Sequence, residues 1–183
     1  GLLAIAFVRL ALNPAVFDYH PRSPTRIWNW YLYTYGIVTV CLFLGVRLLA
    51  PPRHLAHGKK VRPALGTLGT VLAFFLLNIE IADYFSEGAS LTFQFSGNFA
   101  RDMTYSIAWA LFALVLLAVG VGRHLRATRH AGMVLLGITL VKLFLHDLTR
   151  LSALYRIGAL LGVAVISILA SVLYQRFFAA ERK

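Results

Sequence analysis

Charge is what this sequence has least of. Only 14% of its 183 residues are Asp, Glu, Lys or Arg, against about 25% in an ordinary soluble domain. That shortage excludes a water-soluble globular domain and a charged, disordered chain. There is one cysteine, Cys41, inside an apolar run. A lone cysteine closes no intrachain disulfide, so a disulfide scaffold is excluded too, and Cys41 reads as a small packing residue. Catalytic signatures are missing as well. The chain has no phosphate-binding Walker loop, no dinucleotide fingerprint, no Gly-x-Ser-x-Gly elbow and no Cys-x-x-Cys pair. It has no His-x-x-x-His for a metal. His54 and His57, three apart, lie in a basic loop that disfavours a cation. The reading is of no catalytic constellation, no metal and no cofactor.

What is present is apolar. Hydrophobic residues make up 59% of the chain, and mean hydropathy is +0.72. A spanning helix needs about 20 residues, so the length admits about six such segments and no large soluble domain. The net charge of +11 would suggest nucleic acid in a soluble protein. In a membrane protein it reads as topology, because cytoplasmic loops are rich in Lys and Arg. Nucleic-acid binding has no other support. The first residues, Gly1-Leu2-Leu3, bring neither a Met nor a charged start, and no cleavage site follows the first apolar run. They read as the middle of a helix and not as a signal peptide. The expectation is a C-terminal piece of a longer protein, whose missing spans would be its first partners after the bilayer.

The pattern predicts an all-α, polytopic transmembrane helical bundle of five full spans plus a partial N-terminal span, forming a single domain. The partial span covers 1–12 and ends at Asn13-Pro14. Full spans are expected near 28–50, 63–85, 101–122, 131–148 and 155–178. The second segment opens on Trp28, Trp30, Tyr31, Tyr33 and Tyr35, an aromatic belt at a water interface. Between 87 and 99, Leu91, Phe93 and Phe95 alternate with polar residues, which suggests a short extended segment. Alternate loops carry Arg53, Lys59, Lys60 and Arg62, then Arg123, Arg126 and Arg129, then Arg176, Arg182 and Lys183. The other side carries Arg22, Arg26, Arg101, Arg150 and Arg156. The richer side, with the C-terminus, is expected to be cytoplasmic.

Charges within spans are costly, about 2.5–3.5 kcal/mol at a helix centre on the insertion scale. Lys142 is placed near the bilayer middle on the expected fifth helix. Glu80 and Asp83, one turn apart on one face of the third, are its candidate partners in an intramembrane charge network. Arg101, Asp102, His146, Asp147, Arg150, Tyr155 and Arg156 form a candidate outer polar layer. Its arginines suit an anion; a ring of caps and salt bridges is the plainer reading. Gly158-x-x-x-Gly162, Ser167-x-x-x-Ser171 and Ala118-x-x-x-Gly122 permit close helix packing. Tyr105 and Trp109 read as an aromatic packing stripe.

Several segments resemble a known family: Tyr105-Ser106-Ile107-Ala108-Trp109, Val141 to Leu148 (VKLFLHDL), Leu154-Tyr155-Arg156-Ile157 and Tyr174-Gln175-Arg176-Phe177. They look like the end of bacterial membrane proteins in domain-of-unknown-function family 2339. Asn13-Pro14 to Tyr35-Gly36 is similar to the same family. The resemblance implies a long multi-pass protein, often with a coiled coil before many spans, and picks out Lys142, Asp147, Tyr155 and Arg156. It implies no reaction, substrate or catalytic residue.

Three functions are open from the sequence. The first is binding or transport of a lipid-linked or anionic envelope molecule, with the outer layer as its site and Lys142 as a charge gate. The second is a structural or assembly module without a ligand. The third is a membrane-embedded transferase using His146 and Asp147.

Overall fold

The computed structural model describes residues 1–17, 22, 25–49, 55–56, 59–86, 88, 91, 93, 98–147 and 153–178. The chain divides into two compact units, Gly1–Gln94 and Phe95–Lys183. Among the described residues, regular structure is helical apart from one small hairpin. Among the described residues, four helices are long and apolar enough to cross a membrane: Trp30–Leu48, Val61–Phe85, Phe99–Gly122 and Arg126–Leu145.

The first unit opens with α1 (Leu2–Leu12). Its 11 residues extend about 16 Å at 1.5 Å per residue, half of a bilayer core of about 30 Å. A 3-10 turn, Pro14–Phe17, follows. Pro14 has no N–H to return to the Leu10 carbonyl, one helical turn back. The buried Tyr35 hydroxyl donates to that carbonyl instead, at 2.9 Å. Tyr35 lies on α2 (Trp30–Leu48), which starts where Asn29 caps it: Asn29 Oδ1 accepts from the Leu32 N–H at 2.8 Å. β1 (Leu55–Ala56) and β2 (Lys59–Lys60) pair antiparallel, Leu55 opposite Lys60, in a hairpin that the sequence did not signal. α3 (Val61–Phe85) completes the unit.

α2 buries Tyr31, Tyr35, Thr39 and Leu42, and α3 buries Leu65, Gly69, Leu72 and Ile79. Both sets recur at the three- and four-residue spacing of a single helical face. Glycines set the approach: a Cβ at Gly69 would lie 3.3 Å from Leu42 Cβ, and one at Gly45 would lie 3.2 Å from Leu65 Cδ1. Outward residues such as Ile37, Val40, Phe43 and Leu44 are apolar and exposed, as lipid contact requires. Three polar side chains of α3 are satisfied locally. Thr67, Thr70 and Asn78 each donate to the carbonyl four residues back, at 2.7–3.0 Å.

The second unit contains α4 (Phe99–Gly122), α5 (Arg126–Lys142) and α6 (Ala153–Phe178). Asn98 caps α4 by accepting from the Arg101 N–H at 3.2 Å. α4 ends in a Schellman turn: His124 N–H donates to Val121 O at 3.1 Å and Leu125 N–H to Gly120 O at 2.8 Å. His124 takes the left-handed position, φ 53°. This tight turn lets α5 begin at Arg126, five residues before the expected Ala131. α5 then widens into a π-helical segment, Leu143–Asp147. α6 has 26 residues, about 39 Å of helix, and packs on α4. Its described apolar stretch is Leu160–Val172. Of the expected extended segment at 91–96, only Leu91 and Phe93 are among the described residues; Phe93 meets Phe17 edge-on at 5.8 Å.

Candidate functional site

In the first unit the polar groups converge at the far end of α3. Asp83 is 1% exposed. Its Oδ1 accepts from Arg22 Nε at 2.5 Å, and its Oδ2 accepts from Asn29 Nδ2 at 3.0 Å. Arg22 is used further: Nη2 donates to the Asp83 carbonyl and Nη1 to the Gly88 carbonyl, the latter at 2.9 Å. A guanidinium thus covers carbonyls at and just beyond the end of a helix, where the helix dipole is negative. Asn29 also caps α2, so one network ties the connecting segment, the start of α2 and the end of α3 together. Glu80, one turn before Asp83, accepts from Asn29 Nδ2 at 3.3 Å through Oε2. Its Oε1 is buried, with no hydrogen-bond partner among the described residues. Nearby, Arg26 lies over the Tyr84 ring, 5.1 Å from its centroid.

In the second unit the convergence is at the start of α4. Arg101 and Asp102 are both buried in its first turn, 6% and 4% exposed. Lys142 donates to Ser106 Oγ at 2.7 Å and to the Asp102 carbonyl at 3.2 Å. Ser106, itself buried, donates to the same carbonyl at 3.3 Å. The early start of α5 changes the depth of Lys142. It stands 16 residues past Arg126, about 24 Å along the helix, and three residues before the end of the candidate span at Leu145. Its hydrogen bonds set it beside Asp102 and Ser106 in the first turns of α4.

Within its own unit, then, Asp83 is matched by Arg22 and Asn29, and the Lys142 ammonium by Ser106 and a main-chain oxygen. His146 and Asp147 fall in the π-helical segment, and Tyr155 and Arg156 in the first turn of α6; these four are placed by backbone alone. Arg150 lies outside the described residues. Among the described residues, no group of three His, Cys, Asp or Glu is placed to hold a metal. Arg22, Asn29 and Ser106 were not singled out from sequence as site residues. Asn29 carried the one usable signal, a capping residue directly before an apolar helix.

Apolar helices that carry their charges in such internal networks define a polytopic helical membrane protein. Over residues 1–177 the chain matches the family model described as "Predicted membrane protein (DUF2339)", and it belongs to that family. No curated protein and no solved structure matches it.

Proposed function

We propose that this protein binds an anionic or lipid-linked molecule of the cell envelope where α4 begins and α5 ends. The observation that supports this reading is the placement of two cations, Arg101 and Lys142, at the first turns of α4. A helix N-terminus already carries partial positive charge and favours anions. A buried arginine and a half-buried lysine added there favour an anion as the ligand. Lys142 acts as the charge gate: its ammonium leaves Ser106 Oγ and the Asp102 carbonyl to meet the incoming anion. Asp147, His146, Arg150, Tyr155 and Arg156 complete the outer layer by their order along the chain. In this reading the protein sits in a bacterial inner membrane with its C-terminus cytoplasmic, because the loops richer in Lys and Arg face the cytoplasm.

The test is retention of co-purifying anionic amphiphiles, read by native mass spectrometry of the protein in mild detergent. Lys142→Met is expected to lower retention about tenfold, the size of one charge-assisted hydrogen bond, and Lys142→Arg to restore part of it. Equal retention by wild type and Lys142→Met, with both folded, overturns the reading. A second reading, a ligand-free assembly module, draws support from the closed network around Asp83. It predicts that no variant in either network changes bound lipid.

A further inference from the structure

A groove of about 540 Å³ lies in the first unit, between α1, the 3-10 turn and α2. Its volume is within the range of about 300–1,000 Å³ typical of small-ligand sites. α1 and α2 run antiparallel along it. Leu3 lies against Gly45, Leu10 is bonded to Tyr35, and Phe17 meets the Tyr31 ring at 5.9 Å. The wall from α2 is Trp30, Thr34 and Val38. These residues are four apart and form one face about 12 Å long. The opposite wall is Ala6 and Arg9 of α1. Arg9 is exposed and makes no hydrogen bond or ion pair among the described residues.

An arginine in an apolar helix is costly in lipid unless it meets an anion. α1 has no acid in its sequence, Leu-Leu-Ala-Ile-Ala-Phe-Val-Arg-Leu-Ala-Leu. The groove beside Arg9 is apolar at its Ala6 and Val38 end, while Trp30, at the other end, belongs to the aromatic belt that marks a membrane interface. We infer that this groove binds an anionic phospholipid, with the phosphate on the Arg9 guanidinium and one acyl chain along Ala6 and Val38. Charge complementarity chooses the occupant: a guanidinium pairs with a phosphate in bidentate geometry, and a net-negative headgroup offers no ammonium to compete for that phosphate. The site lies in a different unit from Lys142 and does not depend on the function proposed above.

The experiment places the full chain in phosphatidylcholine nanodiscs doped with phosphatidylglycerol and counts bound lipids by native mass spectrometry. Wild type is expected to enrich phosphatidylglycerol over its bulk share. Arg9→Met, which keeps the stem and removes the charge, is expected to lose that enrichment about tenfold, while Arg9→Lys keeps most of it. Ala6→Phe, which fills the groove, is expected to lower binding of both lipids. Lys142→Met leaves the enrichment unchanged, so the two proposals fail separately. Equal enrichment by wild type and Arg9→Met overturns the inference, and so does absence of enrichment in wild type. If Arg9→Met does not fold, Ala6→Phe and Arg9→Lys decide it by the same readout.

Discussion

Asp83 is the residue most completely committed to the fold. Both carboxylate oxygens and its carbonyl are engaged, two of the three by one guanidinium. Taking two charges out of water is costly, so this pair adds little net stability compared with apolar residues that would pack as well. Removing one partner is different, because the other charge is left stranded in low dielectric. Asp83→Ala is therefore expected to lower stability by about 3–5 kcal/mol, read as thermal unfolding in detergent. Arg22→Met should cost a similar amount. The double variant should cost clearly less than the two together, because the shared interaction is lost once. Strict additivity would mean that Arg22 and Asp83 act independently, against the geometry. The sequence made Asp83 visible because an acid in an apolar run is conspicuous. It hid Arg22, since an arginine between two prolines in a loop looks solvated. Only the folded structure brings its guanidinium onto Asp83 of α3.

At the scale of elements, close packing of α4 on α5 depends on two glycines. A Cβ at Gly120 would lie 2.6 Å from the Arg129 nitrogen, and one at Gly132 would lie 2.9 Å from the Ala113 carbonyl oxygen. Both obstacles are main chain and cannot rotate away. Gly132→Ala is thus expected to push the helices apart and lower the melting temperature, at a cost of about 1–3 kcal/mol. Gly122→Ala is the matched control: nothing lies within 4 Å of its Cβ position, so no loss is expected. Equal effects in the two variants would refute the packing role. The sequence pattern pointed instead to Ala118 and Gly122, and to Gly158 and Gly162, yet among the described residues nothing lies within 4 Å of a Cβ at Gly122, Gly158 or Gly162. Small residues at a spacing of four show that close approach is permitted. They do not show which face a neighbour takes, because that is fixed by the turn joining the helices. Helix existence was legible from apolar run length and Pro or Asn punctuation, and most boundaries fell within two residues. The start of α5 was not. The run Arg126-Ala127-Thr128-Arg129-His130 looks like loop by charge, but the Schellman turn at Gly120 to Leu125 makes it helix. That offset sets Lys142 closer to the end of α5, beside the first turns of α4.

For the whole molecule, the charge of +11 acts through its distribution. Ten Lys and Arg fall at or beside alternate helix ends, within 53–62, 123–129 and 176–183, and five fall at the other ends. Positive charge beside a span is retained on the cytoplasmic face during insertion, so the turn at Arg123, with Arg126 and Arg129 in the first turn of α5, should be cytoplasmic. The Trp28 end of α2, which is separated from that turn by an odd number of spans, should face outward. The chain provides a clean assay for this, because Cys41 is its single cysteine. Cys41→Ser gives a cysteine-free background with little expected cost, since Cys41 is exposed on α2 and makes no disulfide. Two reporters are then placed one at a time: Trp28→Cys, where the native side chain is 82% exposed, and Arg126→Cys, at the exposed start of α5. In intact cells treated with a membrane-impermeant maleimide, Trp28→Cys is expected to label directly, and Arg126→Cys only after permeabilisation. The reverse pattern would invert the molecule and place the Arg101 and Lys142 layer on the cytoplasmic side, where an envelope ligand arriving from outside has no access. Labelling of both reporters in intact cells would mean that the α2 and α3 segments, and not α4, set the topology. In the reversed case the proposed ligand would have to enter from the inner leaflet, so this orientation measurement constrains the function as directly as any variant at Lys142.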